Sequence, residues 1–347
     1  MTGLFNKDTG FYNTDKYIDE SYLDWSSTDP RQILEYPIAY LNDALGGITK
    51  SELVVIGADS GVGKTEMANS LAFHNASAGK NVYLFSLEGD KYDVVNRQRY
   101  KMYCDMVQES KCYEKGITYR DFIQNRISKH LRASVRSDML VIDDMLKVKY
   151  KTLKIYNREK SLSMDAFEAH LELINGSADL VIIDHLHYFD FKSRDEYGEI
   201  NEIMKRIKRL QDNCRVPIVL ISHLRKKDKS RVFPDQNDFH GSSNIVKQAD
   251  TCIAAAHVEL QDEKDNDAYG EQIKANIYQT GIRVVKARTG FSQRIVGVLD
   301  FDLQNRKYSR EYNLMICGNN FITPMESENY PKWSKNARTQ YNDKKTA

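Results

Sequence analysis

The sequence predicts an α/β domain with a central, mostly parallel sheet flanked by helices, and three observations carry the prediction. First, the apolar run Leu53-Val54-Val55-Ile56 leads through a glycine-rich loop and a helical stretch ending at Gly79 into a second run, Val82-Tyr83-Leu84-Phe85-Ser86-Leu87. Strand, helix and strand in that order make a parallel unit. Second, Leu180-Val181-Ile182-Ile183 and Ile218-Val219-Leu220-Ile221 bracket a segment in which Ile200, Ile203, Ile207 and Leu210 recur at helical spacing. Third, 347 residues that are 41% apolar and 29% charged can bury a substantial core.

Residues 1–34 read as an arm or linker. Six acids (Asp8, Asp15, Asp19, Glu20, Asp24, Asp29) stand there against Lys7 and Lys16, interleaved with Phe5, Phe11, Tyr12, Tyr17, Tyr22 and Trp25, without helical or strand periodicity. Asp29-Pro30 and Pro37 are helix-start signals, and Gly46-Gly47 stops that helix before the strand at Leu53. From Asp90 to Ala178 the chain is polar and mostly helical, interrupted by Met139-Leu140-Val141-Ile142. Gly281 to Arg288 and Gln293 to Asp300 read as paired edge strands around Thr289-Gly290. Residues 311–347 lose apolar periodicity and are expected as a partly disordered tail, in which Lys332, Lys335, Arg338, Lys344 and Lys345 surround Trp333 and Tyr341. The main domain is thus placed at residues 35–310.

Composition narrows the classes. No run approaches the roughly 18 apolar residues of a membrane helix, and the N-terminus lacks a basic-then-apolar signal pattern, so the cytoplasm is expected and a membrane partner is not. Cys104, Cys112, Cys214, Cys252 and Cys317 lack the spacing of a zinc site or a disulfide framework. A net charge of +1 argues against a uniformly basic coat and leaves room for a local basic patch.

The stretch Ala58-Asp59-Ser60-Gly61-Val62-Gly63-Lys64-Thr65 has the spacing of a phosphate-binding P-loop, with Ala58 where the pattern prefers glycine. Backbone N–H groups at a helix N-terminus cradle phosphate, Lys64 adds charge at the β/γ oxygens, and Thr65 offers a hydroxyl to Mg²⁺. ATP and Mg²⁺ are therefore the expected ligands. Such a site also needs an acid at the end of a neighbouring strand. Asp184 is chosen over Asp143 and Asp144 because only its strand leads through a helix into another buried strand; Asp143 and Asp144 are read as ending an edge strand or capping a helix. Glu88, just past the strand after the P-loop helix, is the candidate base that orients water, and His223 at the end of the next strand is placed to sense the γ-phosphate. Lys286 and Arg288, two apart on a predicted strand, are either solvent-facing edge charges or a cationic pair acting on a neighbouring subunit's site.

The ordered series IGADSGVGKT, VYLFSLEGD, DLVIIDHLHYF, VPIVLISHLR, DFHGSSNIVKQADT and VVKARTGFSQR resembles the RecA-like motor domain of DnaB-type replicative helicases, including phage primase-helicases, over residues 35–310. The resemblance implies a ring-forming ATPase, usually hexameric, that translocates on single-stranded DNA and unwinds duplex; the stripped architecture points to a phage or mobile element as its source. It implies Lys64 and Thr65 as the P-loop pair, Glu88 as base, Asp184 as Mg²⁺ acid, His223 as phosphate sensor, and Lys286 with Arg288 as the trans-acting pair. A primase or helicase loader is the further partner it suggests. The family's N-terminal scaffold or primase domain has no counterpart in the short arm, which is expected to pack on an adjacent subunit instead.

Arg225-Lys226-Lys227-Asp228-Lys229-Ser230-Arg231 carries five cations against one acid and runs on to Asp238-Phe239-His240-Gly241-Ser242-Ser243, which matches the family's central-channel DNA loop. Lys192 and Arg194, in the stretch from His187 to Tyr197, would neighbour it. Contacts of this kind track phosphates, with strong salt dependence and little sequence preference. The alternative function is a RecA-like recombination or regulatory ATPase that binds DNA or a protein partner without processive unwinding.

Overall fold

The computed structural model describes residues 18, 23–24, 33–59, 61–90, 92–109, 117–157, 162–191, 195–225, 232–239, 242–258, 277–288, 290–291, 294–318 and 321–338. Residues 1–34 form one unit, in which Ile18, Leu23 and Asp24 are helical, and residues 35–347 form another. The Asp29-Pro30 signal lies outside the described residues.

The larger unit opens with helix α1 (Ala39–Leu45), stopped by Gly46 in the left-handed region at φ 74°. Strand β1 (Leu53–Ala58) is buried along its whole length and feeds the P-loop and helix α2 (Lys64–Ser77). Strand β2 (Val82–Ser86) follows, then a helical layer of α3 (Asp93–Glu109), α4 (Tyr119–Ile123) and α5 (Lys129–Lys149). Strand β3 (Leu153–Asn157), helix α6 (Met164–Ile174), strand β4 (Leu180–Asp184), helix α7 (Glu196–Cys214) and strand β5 (Ile218–His223) continue the alternation. Helix α8 (Ser242–Gln248) precedes strand β6 (Thr251–His257), and the chain then turns antiparallel through β7 (Ile277–Ala287), β8 (Ile295–Asp302), β9 (Lys307–Tyr308), β10 (Asn313–Cys317) and β11 (Ile322–Pro324).

All eleven strands join one sheet in the order β11-β10-β8-β7-β6-β1-β5-β4-β2-β3, with β9 beside β8. The run from β3 to β6 is parallel. Ala58 pairs with His223 and Ser86 with Asp184, so the C-terminal ends of β1, β5, β2 and β4 share one edge of the sheet. Ligands of open α/β sheets bind at that edge.

Several sequence expectations are corrected. Met139-Leu140-Val141-Ile142 lies inside the 21-residue helix α5. Val135 and Ile142, seven apart, face Tyr103 and Ile127, while Leu140 and Val141 are exposed; a helical stripe was hidden within a short continuous apolar run. Asp143 and Asp144 therefore end no strand, and Asp143 instead pairs with Arg99 at 2.6 Å. The strands β7 and β8 do pair, but β10 and β11 lie beyond them, so neither is an edge.

Of residues 311–347, expected as a tail, those at 313–317 and 322–324 continue the sheet and others up to 338 clamp α1, while 339–347, with Tyr341, Lys344 and Lys345, lie outside the described residues. Tyr40 donates its hydroxyl to Ile295 O at 3.0 Å, and its ring occupies the place where a Cβ at Gly297 would sit. Tyr312 packs edge-on against Tyr40 at 5.3 Å and donates to Asp43 at 2.7 Å, and Arg338 pairs with Asp300 at 2.9 Å. Tyr312, Leu314, Met315 and Cys317 are buried. Each large apolar side chain buried in this way contributes about 1.5–3 kcal/mol.

Candidate functional site

The P-loop is shaped by two left-handed residues, Gly61 at φ 84° and Gly63 at φ 96°. A side chain at either would be strained, whereas glycine lets consecutive N–H groups turn inward at the start of α2. Lys64 is 8% exposed and its Nζ donates to the carbonyls of Ala58 and Asp59 at 3.3 and 3.1 Å. Burial lowers its pKa, while Glu88, Asp184 and Asp59 pull the other way.

A cavity of about 520 Å³ opens over the loop, lined by Gly61, Val62, Gly63, Lys64 and Thr65 on one side and by Glu88, Arg97, His257, Thr280, Phe301, Leu303 and Arg306 on the others. Asp184 is 1% exposed, and among the described residues neither of its carboxylate oxygens has a well-formed hydrogen-bond partner. Burial pushes its carboxyl up to about 6; the Thr65 hydroxyl is near enough to favour the charged form without a well-formed hydrogen bond. Two buried acceptor oxygens without a well-formed hydrogen bond among the described residues are costly unless a cation or its water shell meets them. Asp184 and Thr65 together can hold a divalent metal.

Glu88 lies on the bend after β2, its side chain 40% exposed, with Oε2 3.4 Å from His185 Nε2. His185 is buried, and its ring lies 4.3 Å from that of His223 and 5.7 Å from that of His187. Burial, with His223 and His187 beside it, holds the His185 ring neutral, its pKa pushed down to about 3.

Glu66 was missed in the sequence and organises the rest of the cavity. It is 2% exposed in the first turn of α2, bound by Arg306 through two nitrogens at 2.7 and 3.0 Å, by Lys101 at 3.0 Å and approached by Arg97 at 3.6 Å. The Arg306 guanidinium also lies 4.6 Å from the Tyr119 ring. Burial raises the Glu66 carboxyl, but Lys101 and Arg306 outweigh it and hold the group below the usual carboxylate range. An acid two residues after the P-loop lysine, where phosphate is to bind, was the available signal, because it demands a countercharge. Beyond it, Phe301 and Leu303 give an apolar wall, and Thr280 Oγ1 is buried with no hydrogen-bond partner among the described residues.

Lys286 and Arg288 do not reach this cavity. Lys286 is paired with Cys252, and its Nζ donates to the carbonyls of Val246, Lys247 and Ala249 at 2.5, 3.3 and 2.6 Å, closing the C-terminal end of α8. Arg288 lies just past β7, 61% exposed, 2.9 Å from Asp250, which also accepts from Leu53 N at the start of β1. The pair thus sits at the opposite end of β1 from the P-loop.

Of the expected DNA contacts, Arg225 is described, its guanidinium 4.9 Å from the Tyr197 ring. Phe239 is a correction: it is fully buried and fills the space over Gly57, whose added Cβ would lie 2.7 Å from its ring, so it packs the core beneath β1. Ser242 opens α8. Ser60, Lys192, Arg194, Lys226, Lys227, Lys229, Arg231, His240 and Gly241 lie outside the described residues.

Sheet order, P-loop and strand-end acids together define a RecA-like P-loop NTPase. Within that class the chain belongs to the DnaB-like helicase C-terminal domain family, whose model matches residues 34–310. It is 24% identical over 277 residues to the replicative DNA helicase DnaB of Buchnera aphidicola subsp. Acyrthosiphon pisum, covering 76% of this chain and 56% of that one. The Geobacillus stearothermophilus DnaB is 23% identical over 224 residues, 60% of this chain and 44% of the relative. The chain spans about half the length of these relatives. Among solved structures, a DnaB-like replicative helicase described with its primase interactions superposes with a TM-score of 0.63 at 16% identity, covering 85% of this chain and 66% of that one. A separately solved ATPase domain superposes at 0.66 and 16% identity, covering 86% of this chain and 98% of that domain. No described helix is long and apolar enough to cross a membrane.

Proposed function

We propose that this chain is the ATP-dependent motor of a replicative DNA helicase, working in the cytoplasm as a ring, expected to be a hexamer, on single-stranded DNA. The observation that carries the reading is the convergence of Lys64, Thr65, Glu88 and the unpartnered Asp184 at one edge of the sheet. Family membership supports it. The P-loop N–H groups and Lys64 bind the phosphates of ATP, and the far cavity wall of Thr280, Phe301 and Leu303 takes the nucleoside. Asp184 and Thr65 hold Mg²⁺, which when bound neutralises charge on the β- and γ-phosphates. Glu88 orients and deprotonates the attacking water, and His223 reads the state of the γ-phosphate toward the DNA-facing side. Lys286 and Arg288 face away from their own P-loop and serve the neighbouring subunit's site. The basic stretch from Arg225 to Arg231 with Lys192, Arg194 and His240 to Ser242 tracks the DNA backbone. A primase or a helicase loader is the proposed further partner.

Unwinding of a forked duplex tests the reading. Expected is ATP-dependent strand separation by the wild type and none by Lys64→Ala; DNA-stimulated turnover without strand separation would favour the regulatory ATPase.

A further inference from the structure

Glu88 is a poorly anchored base. It projects from a bend, 40% of its side chain is exposed, and among the described residues its close polar contact is His185 Nε2 at 3.4 Å. A general base works only when one carboxylate oxygen is aimed at the water, so something must select its rotamer. His185 is suited to do so. It follows Asp184 at the end of β4, is 1% exposed, and is wedged between the rings of His223 at 4.3 Å and Tyr188 at 4.6 Å, which fix its plane. Neither ring nitrogen has a well-formed hydrogen bond within the described protein. A neutral imidazole carries one N–H, and the carboxylate of Glu88 is the acceptor that its Nε2 faces.

The geometry points to His185 as a positioning residue for Glu88: its Nε2–H holds one carboxylate oxygen so that the other is presented to the attacking water. The inference rests on Glu88 being the base. The 3.4 Å separation is long for a hydrogen bond, and catalytic contacts of this kind shorten when substrate closes the site. The arrangement also ties the base to the ends of β4 and β5, because the same imidazole packs on His223. Movement of either strand end would then reach Glu88 through one ring.

The test is steady-state ATP hydrolysis by the full chain with single-stranded DNA, beside ADP affinity and melting temperature. His185→Phe keeps a planar ring and removes the donor; expected is a fall in kcat of about 10²-fold with KM and ADP affinity within about twofold of wild type. His185→Gln returns a donor near the Nε2 position and is expected to recover most of the rate. In a Glu88→Gln background, His185→Phe should cost nothing further, since the group it positions is gone. If His185→Phe melts more than about 5 °C early, the comparison of His185→Gln with His185→Leu carries the test. Equal rates for Gln and Leu, or a full additional loss in the Glu88→Gln background, would overturn the positioning role. Wild-type turnover by Glu88→Gln would instead overturn the assignment of the base.

Discussion

Glu66 occupies the first turn of the P-loop helix, buried, with Arg306, Lys101 and Arg97 gathered around it. Its neighbours join α2, α3 and the turn between β8 and β9, so one carboxylate ties three parts of the cavity wall together. Removing one partner of a buried ion pair costs about 3 kcal/mol, and Glu66→Gln is expected to lower unfolding free energy by that amount at neutral pH. The folded-state carboxyl is held below its ordinary 4.5. Its stabilisation is therefore complete above the unfolded-state value and is lost as pH falls through the lower folded value. The Glu66→Gln deficit, measured by denaturant unfolding, should shrink as pH falls below the ordinary carboxylate value and through the lower folded-state one; a deficit undiminished by acidification would contradict the ion-pair account. The meeting of Lys64, Glu88, Asp184 and His223 at one edge of the sheet was legible because each ends or follows an apolar strand. Arg306 was not, because its role depends on a fold that brings it 240 residues back to Glu66.

Elements with unambiguous patterns were read correctly: β1, β2, β4, β5 and the amphipathic α7 follow apolar runs or helical spacing. Other runs misled. In α5 four consecutive apolar residues masked a helical face, and β10, no shorter than β2 or β4, was passed over because the polar residues on either side of it show no apolar periodicity. Phe239 was misread because its neighbours match a DNA-facing loop while its own ring is needed over Gly57. At the end of β7, Lys286 closes α8 and Arg288 is held by Asp250, so the strand end and the helix that follows the proposed DNA loop are joined. If Arg288 acts on the neighbour, Arg288→Ala alone should lower turnover by about 10³-fold or more. Mixing it with Glu88→Gln subunits should then restore activity, since some interfaces pair an intact Glu88 with an intact Arg288. Failure of mixed rings to recover any turnover would contradict action across the interface.

At the scale of the whole molecule, the sheet order explains why residues far apart in sequence meet. Placing β1 between β5 and β6, with β4 and β2 beyond, brings Lys64, Glu88, Asp184 and His223 to one edge and leaves Lys286 and Arg288 at the other. A nucleotide site at one end and a cationic pair at the other is the arrangement that the proposed ring of identical copies requires, each pair then serving a neighbour's site. The added antiparallel strands, with β10 and the residues around Tyr312, hold α1 on the sheet. The proposed motor should spend nucleotide only when single-stranded DNA is bound. The most direct measurement is steady-state ATP hydrolysis with and without single-stranded DNA, for the wild type and Glu88→Gln. Expected is DNA-stimulated turnover in the wild type that falls by about 10²–10⁴-fold in the variant, with nucleotide affinity retained. Turnover indifferent to DNA, or undiminished in Glu88→Gln, would contradict a DNA-driven motor using this base.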